Sequence, residues 1–152
     1  MQPNLLNYNL AEIQVSYKSK VKYSEMSKII SSKDAEDIFR KIWSNEIEFR
    51  EEFNLLLLNR ANKVLGWYRI STGGMAGTVV DPKLIFSIAL KCNASNIIMA
   101  HNHPSGNLKP SQADLELTKK LVSGGKLLEI TVLDHLILSK EGFYSFADEG
   151  QI

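Results

Sequence analysis

Alternating apolar and polar side chains near the start of the chain predict one exposed strand. Residues 13–21 alternate with a period of two, which is typical of a strand with one covered face. Lys18, Lys20 and Lys22 share one side of it, as in edge strands that lysines protect from pairing; a small anionic contact is the alternative interpretation. We therefore expect an N-terminal extension over 1–30, with one edge strand, and a compact domain over 31–152.

Three later stretches show the helical spacing of apolar side chains. The first helix is predicted over 31–43, behind serines that can cap it. The second begins at Asp81, a capping residue, with Pro82 at the first helical position. The third follows Ser111, and the glycine pair 124–125 is expected to end it.

Short apolar runs between the predicted helices indicate strands. Leucine has no preference for strands, so a helix over 53–58 is the alternative, but the run is short and bounded by turn residues, which favours a strand buried on both faces. A hairpin then leads into a strand over 64–70. Residues 96–100 form another buried strand, and 129–138 form a long one that turns back through 143–146. Helices and strands in this arrangement predict an α/β (α+β) fold with a mixed sheet flanked by helices, although the strand order is not readable.

Composition narrows the class of protein. The chain has 152 residues, 44% of them apolar and 23% charged, which is enough for one domain with a sizeable core. Its net charge of +1 gives no electrostatic case for strong nucleic-acid binding. The single cysteine, Cys92, excludes an internal disulfide, fits a reducing compartment and is expected to be a small core residue. No apolar run suits a membrane helix and the N-terminus lacks a signal-peptide pattern, so we expect a cytoplasmic protein with no membrane partner.

The polar stretch 101–114 carries the candidate chemistry. His101 and His103 lie two residues apart, so on an extended segment both imidazoles point the same way and can hold one ion. Asp114 falls in the first turn of the third predicted helix, behind Ser111 as N-cap, and supplies a third ligand. Two histidines, one aspartate and an open position are the pattern of a catalytic zinc site. Taken singly, the histidine pair is a weak motif, the aspartate a favourable first-turn acid and the serine a plain cap.

The spacing His101-x-His103-Pro, then Ser111, then Asp114 resembles the JAMM motif of the JAB/MPN metallopeptidases. The fuller text AHNHPSGNLKPSQAD is similar to the RadC-type branch, and the resemblance extends over about 50–146. It implies a JAB/MPN, cytidine-deaminase-like architecture and a zinc-dependent hydrolase of peptide or isopeptide bonds. It also implies that Ser111 stabilises the oxyanion, a role that we expect to compete with helix capping for one hydroxyl.

The resemblance further implies a glutamate as general base, ahead of an early strand. Glu51 and Glu52 both precede the run 53–58, and the period of a strand sends their side chains to opposite faces. The apolar run fills both faces and does not choose between them. The text Arg50-Glu51-x-Phe53 resembles the RadC-type sequence and favours Glu51; the alternative is that both are solvated acids at a strand end.

Other features and functions stay open. The glycine-rich residues 71–78 lack the lysine and spacing of a phosphate-binding loop and are expected to line a substrate groove. Asp134 and His135 are neighbours on one predicted strand, so they cannot both join one metal; one is expected inward and hydrogen-bonded, the other outward. A DNA-associated role in repair, recombination or mobile elements is weakened because the chain leaves no room for the helical N-terminal region of longer RadC-like proteins. A non-catalytic interaction module is disfavoured by the complete ligand set, and a homodimer through 13–21 is a further expectation.

Overall fold

A computed structural model describes residues 9–73 and 79–152 and contains a five-stranded mixed sheet between helices. In chain order the elements are α1 (Ser32–Ile42), β1 (Glu52–Leu58), β2 (Val64–Thr72), α2 (Pro82–Lys91), β3 (Asn96–Asn102), α3 (Gln112–Leu128), β4 (Thr131–Leu138) and β5 (Phe143–Ser145). The predicted fold class, a mixed sheet flanked by helices, is confirmed. In the ranges that the structure describes, every helix falls short of the combined length and hydropathy that crossing a bilayer requires.

The strand order is β2-β1-β3-β4-β5, with one parallel pair, β3 and β4. Neighbouring parallel strands need a crossover connection, and α3 supplies it between β3 and β4. Strand β1 pairs antiparallel with both β2 and β3, which sets Phe53 opposite His101. The start of β1 and the carboxyl end of β3 therefore lie side by side at the same end of the strands, close to where α3 begins.

Alternating side chains of the central strands fill two separate core layers. Leu55 and Leu57 of β1 face α2 and α3, whereas Leu56 and Leu58 face α1. All seven residues of β1 are buried, as expected for a strand covered on both sides. The metal-site candidates lie on the layer that contains α3, because Phe53 packs in that layer and stacks against the ring of His101.

Helix α3 continues through the glycine pair that was predicted to end it. It runs to Leu128 and ends at Glu129, whose φ of 56° is left-handed. A Cβ on Gly125 would collide with the backbone carbonyl of Ile130, and the Ile130 N–H donates to the Gly125 carbonyl at 2.8 Å. The prediction was wrong because this glycine serves close packing of the helix against the following chain rather than termination.

The predicted strand over 13–21 does not form, so that expectation was wrong. Ile13 and Val15 are 82% and 69% exposed, which means that the alternating pattern has no covered face to stabilise a strand. Tyr17 instead donates its hydroxyl hydrogen to the carbonyl of Leu65, 2.7 Å away, on the edge strand β2. Pairing of this segment with a second copy stays an untested prediction.

Candidate metal centre

His101, His103 and Asp114 converge beside the carboxyl end of β3. Nε2 of His101 lies 3.1 Å from Nε2 of His103. The carboxylate oxygens of Asp114 lie 3.2 Å from the first nitrogen and 3.3 Å from the second. Ligand bonds of about 2.0–2.2 Å in a tetrahedral zinc site separate neighbouring donor atoms by about 3.3–3.6 Å. The donor atoms therefore fit one ion of that size, although their role as ligands stays a prediction.

The position of Asp114 follows from the N-terminus of α3. Ser111 is the N-cap, and its side-chain oxygen accepts a hydrogen bond of 3.1 Å from the Asp114 N–H. Oδ2 of Asp114 in turn accepts one of 2.8 Å from the Ser111 N–H, which completes a capping box. The two reciprocal bonds hold the carboxylate in one orientation toward the histidines.

The capping geometry also bears on the expected competition for the Ser111 hydroxyl. The cap uses a lone pair of the oxygen, because the backbone N–H of Asp114 is the donor. A hydroxyl carries one hydrogen besides its two lone pairs, so capping leaves that hydrogen available to another acceptor. Capping therefore does not consume the hydrogen that an oxyanion would need, and the oxyanion role of Ser111 stays a prediction.

Charge interactions within the cluster shift two of its pKa values. The hydrogen bond to Asp114 raises the pKa of His103 above its ordinary value, despite partial burial. Burial alone would raise the pKa of Asp114, but the two histidines lower it strongly, through hydrogen bonds and charge, when their rings are protonated. The carboxyl is thus an anion across the neutral pH range and attracts a cation, whether a proton on His103 or a metal ion.

Glu51 and Glu52 occupy different environments. A carboxylate oxygen of Glu51 and a ring nitrogen of each histidine, His101 and His103, lie within 4.8 Å of one another, close enough to hold a metal ion. Glu52 is 2% exposed, and its carboxylate lies 3.8 Å from Nε of Arg69. Only Glu51 of this pair therefore stands at the cluster, and burial raises the pKa of its carboxyl.

Asn102, between the two histidines, anchors the segment that leads into β1. Its side-chain amide is fully buried and donates to the carbonyls of Ile47, at 2.7 Å, and Arg50, at 3.0 Å. Its oxygen accepts a 2.7 Å bond from the Glu52 N–H. No motif in the sequence pointed to a role for this residue. The available signal was a buried asparagine inside a strand, since such an amide needs partners.

A third histidine, His135, lies directly behind His101. Its Nε2 is 2.8 Å from Nδ1 of His101, and its Nδ1 is 2.7 Å from the hydroxyl of Thr118 on α3.

Asp134 points to the other face of the sheet and accepts hydrogen bonds from the hydroxyl of Ser145 and from the backbone N–H of His135. The opposite orientations were predicted, but both side chains are buried because helices cover both faces. The sequence-based prediction missed Thr118, although Thr118 follows Asp114 by four residues and therefore lies on the same face of the helix.

The glycine-rich stretch can be assessed only at its ends. Residues 74–78 lie outside the described residues, so the expectation of a groove-lining loop stays a prediction. Its first residues are tied to the site, because the N–H of Gly73 donates to the carbonyl of Glu51 at 2.8 Å.

Comparison with known proteins identifies the family. A family model of the RadC-like JAB domain matches residues 29–151. A UPF0758 protein of Flavobacterium johnsoniae is 48% identical over 126 residues, which cover 83% of this chain and 54% of that protein. A UPF0758 protein of Thermosynechococcus vestitus is 49% identical over 98 residues, or 64% of this chain and 39% of that protein. UPF0758 protein YfjY of Escherichia coli is 44% identical over 101 residues, which cover 66% of this chain and 63% of that protein.

The chain thus spans 39% to 63% of the length of these curated relatives. The resemblance inferred from the histidine motif is confirmed, and the family match is wider than the range 50–146 on which it was based. Because that match takes in β1 to β5 and α1 to α3, the chain belongs to the RadC-like JAB domain family.

Proposed function

We propose that this chain is a zinc-dependent hydrolase of peptide or isopeptide bonds. The observation that carries the proposal is the convergence of two imidazole nitrogens and one carboxylate at 3.1–3.3 Å, with Glu51 beside them. Ligands for a metal ion beside a half-buried carboxylate combine what hydrolysis of an amide needs, a place for an electrophile and a base. Membership in the JAB domain family supports the same reading.

Zinc suits this set of donor groups. His101, His103 and Asp114 would hold it, since imidazole nitrogen and carboxylate oxygen are ordinary zinc ligands and three of them leave a position for water. When bound there, zinc supplies a Lewis acid that polarises a carbonyl oxygen and lowers the pKa of a coordinated water to about 7. A closed structural site would need a fourth protein ligand. Asp114 is the third ligand in this proposal, because its oxygens lie 3.2 Å and 3.3 Å from the two ring nitrogens and its cap fixes their direction.

Glu51 is the residue of this chain that moves the proton. Burial raises the pKa of its carboxyl, while the two nearby histidines partly offset that shift. A carboxylate tuned in this way takes a proton from the attacking water and returns it to the leaving nitrogen, a contribution of about 10²–10⁴ in rate. Attachment of the Glu51 carbonyl to the Gly73 N–H, and of the preceding turn to Asn102, holds the base in place.

Ser111 completes the proposed machinery as a donor to the oxyanion. Its oxygen caps α3 through a lone pair, so its hydrogen is available to the developing negative charge. Removing one such donor typically costs roughly 2.7–4 kcal/mol of barrier.

A peptide substrate is favoured over a nucleic acid by charge. The chain has 18 basic and 17 acidic residues, whereas proteins that bind DNA strongly rely on a concentrated positive surface. The net charge of +1 therefore gives no support to a DNA substrate.

Metal analysis and a cleavage assay test the proposal together. Protein purified without added metal should carry about one zinc per chain by elemental analysis. A His101→Ala, His103→Ala double variant should lose it. The zinc-loaded chain should cleave members of a mixed library of linear peptides and lysine-linked isopeptides, and a chelator should abolish cleavage. Single-stranded and duplex DNA form the parallel arm. Zinc-dependent cleavage of DNA, with peptides left intact, would contradict the proposal.

A further inference from the structure

We infer that Thr118 and His135 are positioning residues that fix the proton of His101 on Nδ1 and thereby keep the lone pair of its Nε2 available to a metal ion. The inference rests on the proposed function only for the identity of that ion. It follows from the directions of three consecutive hydrogen bonds, which the geometry determines.

The chain of hydrogen bonds starts at the hydroxyl of Thr118. Its Oγ1 lies 2.7 Å from the backbone carbonyl of Asp114 and 2.7 Å from Nδ1 of His135. A carbonyl oxygen has no hydrogen to donate, so the single hydroxyl hydrogen points to Asp114. Thr118 can then only accept from His135, and Nδ1 of that ring must carry the hydrogen.

The proton on His135 determines the proton on His101. The His135 ring is fully buried, and burial disfavours the charged imidazolium, so the ring is neutral and carries one hydrogen. With that hydrogen on Nδ1, Nε2 of His135 carries a lone pair and can only accept. This Nε2 lies 2.8 Å from Nδ1 of His101. His101 must therefore donate from Nδ1. When the ring of His101 is neutral, its Nε2 is then unprotonated, and the lone pair of this nitrogen faces His103 and Asp114.

His103 reaches the same state by a shorter route. Its Nδ1 lies 2.6 Å from the carbonyl of Asn107, which can only accept, so Nδ1 carries the hydrogen. Its Nε2 is then also a lone pair when the ring is neutral. Both Nε2 atoms thus present electron pairs to one point, as ligands of one cation must.

The arrangement matters because the alternative tautomer would block the site. A hydrogen on Nε2 of His101 would occupy the place of the metal, and it would leave Nδ1 of His101 facing the lone pair of His135 in a fully buried setting. Partners of metal-bound histidines commonly change metal affinity by about 10–100-fold when they are removed. Here the partner is itself a histidine, so a second residue, Thr118, is needed to set its tautomer.

Two isosteric or near-isosteric variants separate this role from mere packing. Thr118→Val keeps the shape and removes the acceptor for His135, whereas Thr118→Ser keeps the hydroxyl and removes a methyl group. Zinc dissociation constants, measured by competition with a chromogenic chelator, should rise about 10–100-fold in Thr118→Val and stay close to wild type in Thr118→Ser. Equal affinities in the two variants would overturn the inference.

A spectroscopic measurement on the wild-type chain provides a second, independent readout. Long-range nitrogen–proton correlation spectra of the ring atoms distinguish protonated from unprotonated ring nitrogens. In the zinc-loaded chain, His135 and His101 should each be protonated on Nδ1 alone, and in the metal-free chain His135 should show the same state. A proton on Nε2 of His135 would overturn the inference. If the zinc-loaded chain shows the expected tautomers but cleaves no peptide, that result contradicts the hydrolase proposal and supports this inference.

Discussion

The side-chain oxygen of Asn102 accepts a 2.7 Å hydrogen bond from the backbone N–H of Glu52. The same amide group binds the carbonyls of Ile47 and Arg50, so one buried side chain holds the backbone on both sides of Glu51. Asn102 is also the residue between the two histidines of the cluster. The proposed base and the proposed ligands are therefore joined by a single amide.

Replacing Asn102 with leucine should weaken both the fold and the site. Three backbone groups would lose their partner, and a buried unsatisfied polar group costs about 1–3 kcal/mol. We expect the free energy of unfolding, measured by urea denaturation, to fall by about 2–5 kcal/mol, and peptide cleavage to fall further than the folded fraction does.

Asn96→Leu is the matched control for that variant. Asn96 begins the same strand β3, and its amide donates to Asn59 and Asn62 at the far end of the hairpin. It should lose stability and keep the cleavage rate of its folded molecules. An equal loss of cleavage in both variants would show that Asn102 acts only through stability.

The two adjacent glutamates offer a second test. Glu51→Gln should keep zinc and reduce turnover by about 10²–10⁴, because the amide cannot take the proton from water. Glu52→Gln should keep both zinc and turnover, since Glu52 faces Arg69 on the other side of β1. Zinc content and cleavage are measured on the same preparations. Turnover that survives in Glu51→Gln and is lost in Glu52→Gln would reverse the assignment.

Local patterns were enough to predict the ligand candidates, and long-range packing explains what they missed. The period of two at His101 and His103 and the capping signature at Ser111 are short-range features, and both occur where expected. The choice of Glu51 needed the family resemblance, because β1 is buried on both faces and its pattern gives no direction.

The failures arose where a residue's neighbours lie far along the chain. Gly125 looks like a helix terminator until the carbonyl of Ile130 is placed beside it. The alternation over 13–21 predicts a strand only if some surface covers one side, and here none of those side chains is buried. Thr118 and His135 are 17 residues apart, and no local spacing connects them.

The glycine pair in α3 supplies a third test, of packing alone. Gly125→Ala should destabilise the fold by about 1–3 kcal/mol, because the added methyl group meets a backbone carbonyl that cannot move aside. Gly124→Ala should be far milder, since its methyl group meets the ring of Phe86, a side chain that can shift, and alanine gains about 1 kcal/mol of helix propensity. Thermal unfolding of the metal-free chains measures the difference, and equal shifts would contradict it.

The pH dependence of stability in the metal-free chain is a fourth test. Asp114 raises the pKa of His103 above its ordinary 6.5, so this stabilising contribution is complete below about pH 6.5 and is lost as the pH rises through the higher pKa of the folded state. Burial lowers the pKa of His135, so its contribution is lost as the pH falls below about 6.5. Metal-free protein should therefore be most stable near pH 6.5.

The alkaline side of that maximum can be assigned by mutation. Between about pH 6.5 and pH 8 the midpoint of thermal unfolding should fall in the metal-free wild type. It should stay level in His103→Gln. It should rise in the zinc-loaded chain, whose ligands bind as unprotonated rings. A decline of the same size in His103→Gln would assign the effect to another group.

The capping box of Ser111 and Asp114 couples the start of α3 to the histidine cluster. The oxygen that binds the Ser111 N–H also faces His103, so winding the first turn already aims the carboxylate at the rings. A side chain longer by one methylene at position 114 would disturb both at once. One aspartate therefore caps the helix and faces both rings, so a substitution at this position changes the helix terminus and the cluster together.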